Sequence, residues 1–448
     1  MRRRLMSGVA IVAILGVFPA GVGSAPPLES QEAGIPAQIV DFTPDLTVLK
    51  SYPTVDHTDP EGPRQGSTEW RVVVGTGNAA EVWLTATKEG RLLDLGGRYI
   101  NYSDDLGQTW KSVRPLEPLV NAEGSVVVAP GGDLVAVTWD PYSGDRVLNY
   151  KYSAADKTWY YTYNPIHTVF WDRPGIRVAP GPFQTPLGTV PYITWINGLP
   201  HDPWYYSVDG LNYPFVSSPA RERGLTSSVQ ALPEVKGANE WFDWMQPNLD
   251  PILQSTAALG EGRLLHGTSS IFMPEDLKWH PYSLPSGATL SGRTHTDSRG
   301  RLHSVISGGG GFTYRISSDA GRTWNSLFVP GGSPGDFKAN AAAGVAAVWQ
   351  IQNRKDHVVK IDITTDEPKL MRRYEVGLGD DPRSGGIGFY GISGGHRFDF
   401  SSIVVFADGR VAVSFMDSTT KMKFPTLATD VVSPAVAIEL DTTLPGSQ

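Results

Sequence analysis

An octapeptide that occurs twice constrains the fold more than any other feature of this sequence. Ser103–Trp110 reads SDDLGQTW and Ser317–Trp324 reads SSDAGRTW. Both copies fit the pattern S-x-D-x-G-x-T-W, with every fixed position identical. Because the two copies lie far apart in the chain, the repeat indicates that the chain is built from copies of one structural unit.

The residue types of the octapeptide predict a hairpin turn that is anchored in a core. Ser and Asp side chains bond nearby backbone groups in tight turns. Gly adopts the left-handed conformation that other residues resist, and Trp buries a large ring. The carboxylates of Asp105 and Asp319 are therefore expected to hold turns and not to act in catalysis.

Composition favours an all-β chain that is rich in turns. The 448 residues include 49 Gly and 35 Pro without a fixed short period, and 40% of the residues are hydrophobic. Many short alternating segments lie between these turn residues, which is typical of all-β proteins. The chain contains no Cys, which excludes disulfides and Cys-ligated metal sites.

The first residues have the pattern of a secretory signal peptide. Arg2–Arg4 supply positive charge, Val9–Phe18 are apolar, and small residues follow over Gly21–Ala25. We expect residues 1–25 to be removed on export, with a retained N-terminal anchor as the alternative. Residues 26–68 are predicted to form a linker or edge segment, and residues 69–448 the main domain. The predicted location is extracellular or periplasmic.

Net charge limits the partners. The formal net charge is −8, and loss of the three arginines of the signal segment takes it to −11. An acidic chain argues against nucleic acid as a partner. A local Arg cluster can still bind an anionic sugar. No membrane contact is expected after signal removal, and the oligomeric state stays open.

Seven candidate hairpins recur along the chain, each with two apolar strands around a Gly or Asp turn. Their paired strands are 71–74 with 82–85, 125–129 with 134–139, 176–179 with 190–196, 255–259 with 263–268, 293–296 with 301–306, 339–343 with 345–349, and 402–406 with 410–415. Incomplete octapeptides follow some of them, at 153–159, 207–213 and 275–279. The spacing predicts a β-propeller of four-stranded blades, with seven blades favoured. A pair of β-sandwiches is the rival topology.

The octapeptide resembles the Asp-box of the sialidase/BNR-repeat β-propeller superfamily, over roughly residues 70–420. The resemblance implies a propeller, with six blades as the alternative count, and a secreted protein that acts on or binds carbohydrate. Sialidases also carry an Arg-Ile-Pro motif on the first blade, where this chain has Arg71-Val72-Val73. The function therefore stays open among a sialidase-like exo-glycosidase, a propeller polysaccharide lyase and a non-catalytic binding propeller.

Candidate site residues concentrate in the loops that a propeller places on the face opposite the octapeptide turns. For glycoside hydrolysis, sialidases use a Tyr nucleophile assisted by a carboxylate. By this resemblance Tyr142 would be the nucleophile, Glu123 its base, and Asp140 or Asp172 the acid. Arginines suit a substrate carboxylate because they bind it in a bidentate way. The predicted substrate-binding residues are Arg71, Arg146, Arg173, Arg397 and His201.

A second chemistry fits the same loops. Elimination from a uronic acid needs an Arg to neutralise the carboxylate and a His or Tyr to move the proton, for which His167, His201 and Tyr142 are available. The structural alternatives are a turn cap for Asp140, a surface pair for Asp145 and Arg146, and packing between blades for Tyr142. Neither chemistry calls for a cofactor or a metal, and we expect none.

Overall fold

The computed structural model of this protein describes most of the chain after the predicted signal segment. The described residues are 34–57, 62, 64–76, 83–95, 99–116, 123–140, 146–164, 172–199, 204–213, 215–217, 229–231, 264–266, 270–281, 283, 286–288, 293–352, 355–375, 402–423 and 430–440. They lie in one compact unit, Glu32–Gln448. The predicted signal peptide, residues 1–25, lies outside them. Within these ranges the structure contains no helix of membrane-spanning length and hydropathy.

The described part of the chain is all-β, as the sequence predicts, and its sheets are antiparallel. Its one departure from strands and loops is a 3-10 turn at Pro130–Gly132. The first four strands are β1 Ile35–Pro36, β2 Gln38–Phe42, β3 Leu46–Asp56 and β4 Arg64–Val74.

Consecutive four-stranded meanders follow, each formed from strands that are neighbours in sequence. The first is β5 Trp83–Ala86, β6 Leu92–Leu95, β7 Ile100–Ser103 and β8 Trp110–Arg114, and the second is β9 Glu123–Val128, β10 Leu134–Asp140, β11 Arg146–Ser153 and β12 Thr158–Asn164. The third is β13 Asp172–Thr185, β14 Gly188–Leu199, β15 Trp204–Ser207 and β16 Phe215–Ser217, and the fourth is β17 Val229–Ala231, β18 Leu264–His266, β19 Ser270–Met273 and β20 Lys278–Pro281.

The later strands continue this pattern. They are β21 Arg293–Thr296, β22 Leu302–Gly308, β23 Gly311–Ser317 and β24 Asn325–Pro330, then β25 Ser333–Asn340, β26 Val345–Gln352, β27 Lys355–Asp362 and β28 Lys369–Glu375, and finally β29 Ser402–Val405, β30 Val411–Lys423 and β31 Asp430–Glu439. The last group gains its fourth strand from the start of the chain, because β31 pairs with β4. The N-terminal strands also lengthen other sheets, since β1 pairs with β12, β2 with β8, and β3 with both β4 and β28.

Two of the seven predicted hairpins are wrong. Residues 71–74 do not pair with 82–85: Val72 is the register partner of Val48 on β3 and of Ala437 on β31. Trp83 instead pairs with Leu95 inside the first meander. The predicted pairing of 255–259 with 263–268 is also wrong, because Leu264–His266 pairs with Val229–Ala231 on one edge and with Ser270–Met273 on the other. The remaining five hairpins pair as predicted.

The apolar core lies between successive meanders. In β10, Leu134 and Ala136 pack towards the first meander, while Val135 and Val137 pack towards the third. A strand that is buried on both faces needs a continuous apolar run, which explains the sequence of β10. The first strands of neighbouring meanders contact one another, β5 with β9, β9 with β13, β13 with β17, β21 with β25, β25 with β29, and β29 with β5.

Candidate functional site

The first octapeptide forms a closed hydrogen-bonded turn between β7 and β8. The Asp105 carboxylate accepts the Thr109 backbone N–H at 2.8 Å and the Thr109 hydroxyl at 2.6 Å. Ser103 Oγ donates to Asp105 Oδ1 at 2.8 Å and accepts the Gly107 N–H at 2.8 Å. The indole N–H of Trp110 donates to the Gly107 carbonyl at 3.2 Å.

The second octapeptide repeats this geometry between β23 and β24. Asp319 accepts the Thr323 N–H at 2.8 Å and the Thr323 hydroxyl at 2.6 Å. Ser317 Oγ again bonds both Asp319 and the Gly321 N–H. Trp324 also donates to its turn glycine, at 3.1 Å. The two copies differ in burial, because Trp110 is buried whereas Trp324 is half-buried under the Arg315 guanidinium.

These carboxylates are engaged in the turns, as the sequence predicts. Thr323 lowers the pKa of Asp319 to about 2. For Asp105, burial opposes ionisation, but the bonds from Thr109 and Ser103 outweigh it and lower the pKa. Two carboxylates that are already ionised and bonded to their own turns are poor candidates for proton transfer.

The octapeptide turns mark one end of the sheets, which we call the turn end. Arg91, beside the β5–β6 turn, bonds Asp104 of the octapeptide at 2.7 Å and stacks on Tyr152 of β11 at 5.1 Å. In the second meander, Asp133 accepts the Ala154 N–H at 2.9 Å. The turns after the first and third strands of both meanders therefore lie together at this end.

The other strand ends form what we call the site end. Leu95 closes β6 there, and Gly124 lies near the start of β9. A Cβ on Gly124 would lie 2.9 Å from Leu95 Cδ2, so the two meanders meet closely at this point. The Leu116 N–H, just beyond β8, bonds the Tyr161 hydroxyl of β12 at 3.1 Å.

Predicted site residues of the second meander share the site end. Glu123 opens β9 and is the register partner of Trp139. Asp140 closes β10 and is the register partner of Arg146, which opens β11. The loop 141–145, which contains Tyr142, therefore begins and ends at the positions of Asp140 and Arg146. Tyr142 itself lies outside the described residues, and for the three strand residues the backbone alone is described.

Two more predicted site residues lie on β13, the first strand of the third meander. Asp172 opens β13, where it is the register partner of Leu199, and Arg173 follows it. The Ser125 hydroxyl of β9 accepts the Ile176 backbone N–H of β13 at 2.9 Å, and both residues are buried. This bond fixes the start of β9 beside the start of β13, so the backbones of Glu123 and Asp172 lie at neighbouring strand ends.

The structure does not bring Arg71 together with this group. Its guanidinium donates to the Leu106 carbonyl of the first octapeptide, which lies at the turn end. The side chain also passes close to Gly107. His201 and Arg397 lie outside the described residues, and their roles stay predictions.

A buried polar cluster at the turn end has the residue types of a catalytic triad. His303 Nε2 lies 2.8 Å from Asp297 Oδ2, and His303 Nδ1 lies 2.7 Å from the Tyr314 hydroxyl. Arg301 donates to Asp297 at 2.8 Å and to the Thr365 carbonyl of the next meander at 3.1 Å. Burial opposes ionisation of Asp297, but His303 and Arg301 hold its pKa well below the usual range.

This cluster joins two sheets and has no access to a substrate. Asp297 and His303 are fully buried. Arg301 belongs to a short repeated pattern in the sequence. Gly-Arg followed by Leu occurs at residues 300–302, and Gly-Arg followed by Leu or Val also occurs at residues 90–92, 262–264 and 409–411. In the described copies, Arg91 bonds Asp104 and Arg410 bonds Asp408. The repeated Arg is therefore a turn-end structural residue.

Among the described ranges, no group of three His, Cys, Asp or Glu side chains is arranged to hold a metal ion. The expectation of no metal and no cofactor stays a prediction.

Comparisons with known proteins do not show which family this chain belongs to. No protein-family model matches the sequence, and no curated protein matches it. Solved structures with some similarity include a virginiamycin B lyase from Staphylococcus aureus, with 9% identity over 88% of this chain and 100% of that chain and a TM-score of 0.39. The NanB sialidase from Streptococcus pneumoniae has 12% identity over 91% of this chain and 71% of that chain, with a TM-score of 0.34. The phage phi92 endosialidase has 11% identity, covers 87% and 72%, and has a TM-score of 0.33. Every TM-score is below 0.5, so these similarities carry no argument about function.

Proposed function

We propose that the chain is a seven-bladed β-propeller of the Asp-box type. Contacts between the first strands of consecutive meanders, from β5 through β17 and from β21 through β29 and back to β5, support a ring of sheets. Pairing of β31 with β4 supports closure of that ring, because it joins the two ends of the described chain in one sheet. The last four-stranded unit, β29–β30–β31–β4, is the seventh blade.

We propose that this propeller is a sialidase-like exo-glycosidase whose substrate is an acidic carbohydrate bound at the site end. One observation carries the proposal. The backbone positions of Glu123, Asp140, Arg146 and Asp172 lie at neighbouring strand ends, on the far side of the sheets from the octapeptide turns. Carboxylates and arginines at one strand edge are the groups that hydrolysis of an acidic glycoside requires.

Each residue has a defined part in this reaction. The Tyr142 oxygen attacks the anomeric carbon while its proton passes to Glu123. Asp140 or Asp172 gives a proton to the departing glycosidic oxygen. Water then attacks the anomeric carbon of the glycosyl-tyrosine and gives a proton to the deprotonated Asp140 or Asp172, the sugar leaves with the hydroxyl group, and Glu123 returns its proton to Tyr142. Arg146 and Arg173 bind the substrate carboxylate, for which a bidentate guanidinium is well suited. His201 and Arg397 complete the binding group.

Hydrolysis of a fluorogenic sialoside by the purified mature protein tests the proposal. We expect turnover by the wild type and a loss of about a hundredfold or more in kcat for Tyr142→Phe, Glu123→Gln and Asp140→Asn. Glu367→Gln, an exposed carboxylate at the turn end, is the matched control and should keep full activity. Turnover that is unchanged in all three site variants would overturn the assignment of the site.

Two alternative outcomes distinguish the other functions of this fold. Tight binding of a glycan by pure protein without turnover would replace the hydrolase with a carbohydrate-binding propeller. Release of an unsaturated uronic acid from a polyuronate would identify a lyase. Export is part of the proposal, and mass spectrometry of the mature N-terminus should place cleavage near Gly23–Ala25.

A further inference from the structure

Arg114 and Tyr99 form a stacked pair at the site end of the first meander. Arg114 is the last residue of β8, the strand that leaves the octapeptide turn, and Tyr99 directly precedes β7. The register pair Ile100 and Val113 brings Tyr99 and Arg114 next to each other. The Arg114 guanidinium carbon lies 4.7 Å from the centre of the Tyr99 ring, which is a cation–π contact.

Arg91 provides a comparison at the turn end of the same meander. Its guanidinium carbon lies 4.7 Å from the Tyr102 ring centre, the same stacking distance, and it also bonds the Asp104 carboxylate through Nε at 2.7 Å and Nη2 at 3.2 Å. Arg91 therefore shows the complete arrangement, which is a guanidinium between an aromatic face and a bidentate anion.

Arg114 has no such anion among the described residues. Across the part of the chain that the structure describes, no carboxylate bonds its guanidinium, and its Nε is buried without an acceptor. A buried guanidinium N–H without an acceptor is costly, because the group has lost water and gained no hydrogen bond. A carboxylate placed as Asp104 is placed on Arg91 would supply the acceptor and neutralise the charge.

The side chains next to this pair suit a sugar ring. Tyr99 is partly exposed, and Leu116, two residues beyond Arg114, is 59% exposed. Tyr161 accepts the Leu116 N–H at 3.1 Å and is itself buried, so it supports the position of Leu116 from the core. A partly exposed aromatic ring and an exposed apolar side chain next to a cation match a sugar that has an apolar ring face and an anionic group.

We propose that Arg114 and Tyr99 form an outer subsite, which binds the carboxylate of a second sugar unit in an acidic oligosaccharide. The proposal rests on the proposed function, because the terminal unit of that oligosaccharide occupies the site at Glu123 and Asp172. Arg114 lies at the same end of the sheets, nine residues before Glu123 in the sequence. The substrate is then an acidic oligosaccharide and not an isolated terminal sugar.

Calorimetric binding tests this subsite. The ligands are a short α-linked sialic acid oligomer and the methyl glycoside of a single sialic acid, and the proteins are wild type, Arg114→Gln, Arg114→Lys and Arg322→Gln. Arg322 is exposed at the second octapeptide, so its variant removes one charge from the turn end. We expect Arg114→Gln to weaken oligomer binding about tenfold or more and monosaccharide binding less than about twofold. Arg114→Lys should be intermediate, because Lys keeps the charge and loses the bidentate geometry.

Three results would overturn the subsite. The first is unchanged oligomer affinity in a folded Arg114→Gln protein, which leaves the proposed function intact. The second is an equal loss in Arg322→Gln, which indicates a general charge effect. The third is equal loss of both ligands in Arg114→Gln, which places Arg114 at the terminal sugar. A wild type that binds neither ligand overturns the proposed function and the subsite together. If the variants unfold at the same thermal midpoint as the wild type, unfolding is excluded as the cause of weaker binding.

Discussion

The Ser125 hydroxyl accepts the buried N–H of Ile176 at 2.9 Å, and this bond joins the first strands of two adjacent sheets. Similar side-chain bonds join other first strands, because Asp336 of β25 accepts the Ile403 N–H at 2.9 Å and Ser402 of β29 donates to the Leu84 carbonyl at 3.2 Å. First strands have a free edge, so their backbone groups need such partners. The bonds hold the strand starts that carry the candidate site.

Ser125→Ala should reduce both stability and activity. The substitution leaves the Ile176 N–H buried without its acceptor, which costs about 1–3 kcal/mol. It also frees the start of β9 from β13, so we expect a lower kcat on the sialoside. Urea unfolding and steady-state kinetics measure the two effects. Ser125→Thr keeps the hydroxyl and should retain most of both, and an equal loss in that variant would contradict the hydrogen-bond explanation.

The octapeptide turns should contribute stability that is lost in acid. The folded pKa of Asp319 is depressed from 3.8 to about 2. Its contribution is therefore present above pH 3.8 and is lost as the pH falls through about 2. Asp319→Asn should lower the thermal midpoint at neutral pH and reduce the difference in stability between neutral and acid solution. Scanning calorimetry across this pH range checks the prediction, which fails if the variant keeps the wild-type pH dependence.

The strand pattern was readable from sequence because most pairing in this chain is local. Alternating apolar runs around turns such as Asp297–Gly300 predict hairpins without any knowledge of the rest of the fold. The 71–74 strand failed because its partners on β3 and β31 are set by closure of the sheet, which local spacing does not encode. The incomplete octapeptide 207–213 was also readable. Asp209 again holds its own turn, but it accepts the Leu211 and Asn212 N–H groups, two and three residues later, whereas Asp105 accepts an N–H four residues later.

The candidate site was less accessible from sequence, for a physical reason. Loop residues meet through the ends of different strands, so their proximity depends on register and on the packing between sheets. The sequence placed Asp140 and Arg146 in one loop, but it did not indicate that Ser125 would hold Asp172 beside Glu123. It also assigned Arg71 to the substrate, whereas the guanidinium bonds Leu106 at the turn end. Arg114 was not predicted as a site residue, because a single Arg at a strand end belongs to no sequence motif.

Asp94 should make the fold less stable as the pH rises. Its carboxyl group is fully buried, and burial raises its pKa from 3.8 to about 7, against a smaller opposing effect of the Thr76 hydroxyl. Between these pH values the folded chain keeps a proton that the unfolded chain releases, so stability falls over this range and is level above it. The full change is about 4 kcal/mol. Urea unfolding at about pH 5 and about pH 8 should show about 3 kcal/mol of this change, because the rest is already lost below pH 5.

Asp94→Asn should remove most of this pH dependence, because the amide cannot ionise and keeps the shape of the carboxyl group. The variant should also be more stable than the wild type at about pH 8. Glu367→Gln removes an exposed carboxylate and is the control, for which we expect no change. A wild-type slope in Asp94→Asn would show that another group releases the proton.

Lys360 and Glu439 form a buried ion pair that should be costly to break from one side. Lys360 Nζ lies 3.0 Å from Glu439 Oε2, and the Val411 N–H bonds the same oxygen at 3.0 Å. Burial raises the pKa of Glu439, and Lys360 opposes that rise. Lys360→Met leaves a buried carboxylate without its cation, so we expect a loss of about 3–5 kcal/mol in the free energy of unfolding.

The double variant Lys360→Met with Glu439→Gln should lose less stability than Lys360→Met alone, because the uncompensated charge is gone. Denaturant unfolding of the two single variants and the double variant gives the coupling energy, and additive losses would contradict a direct interaction.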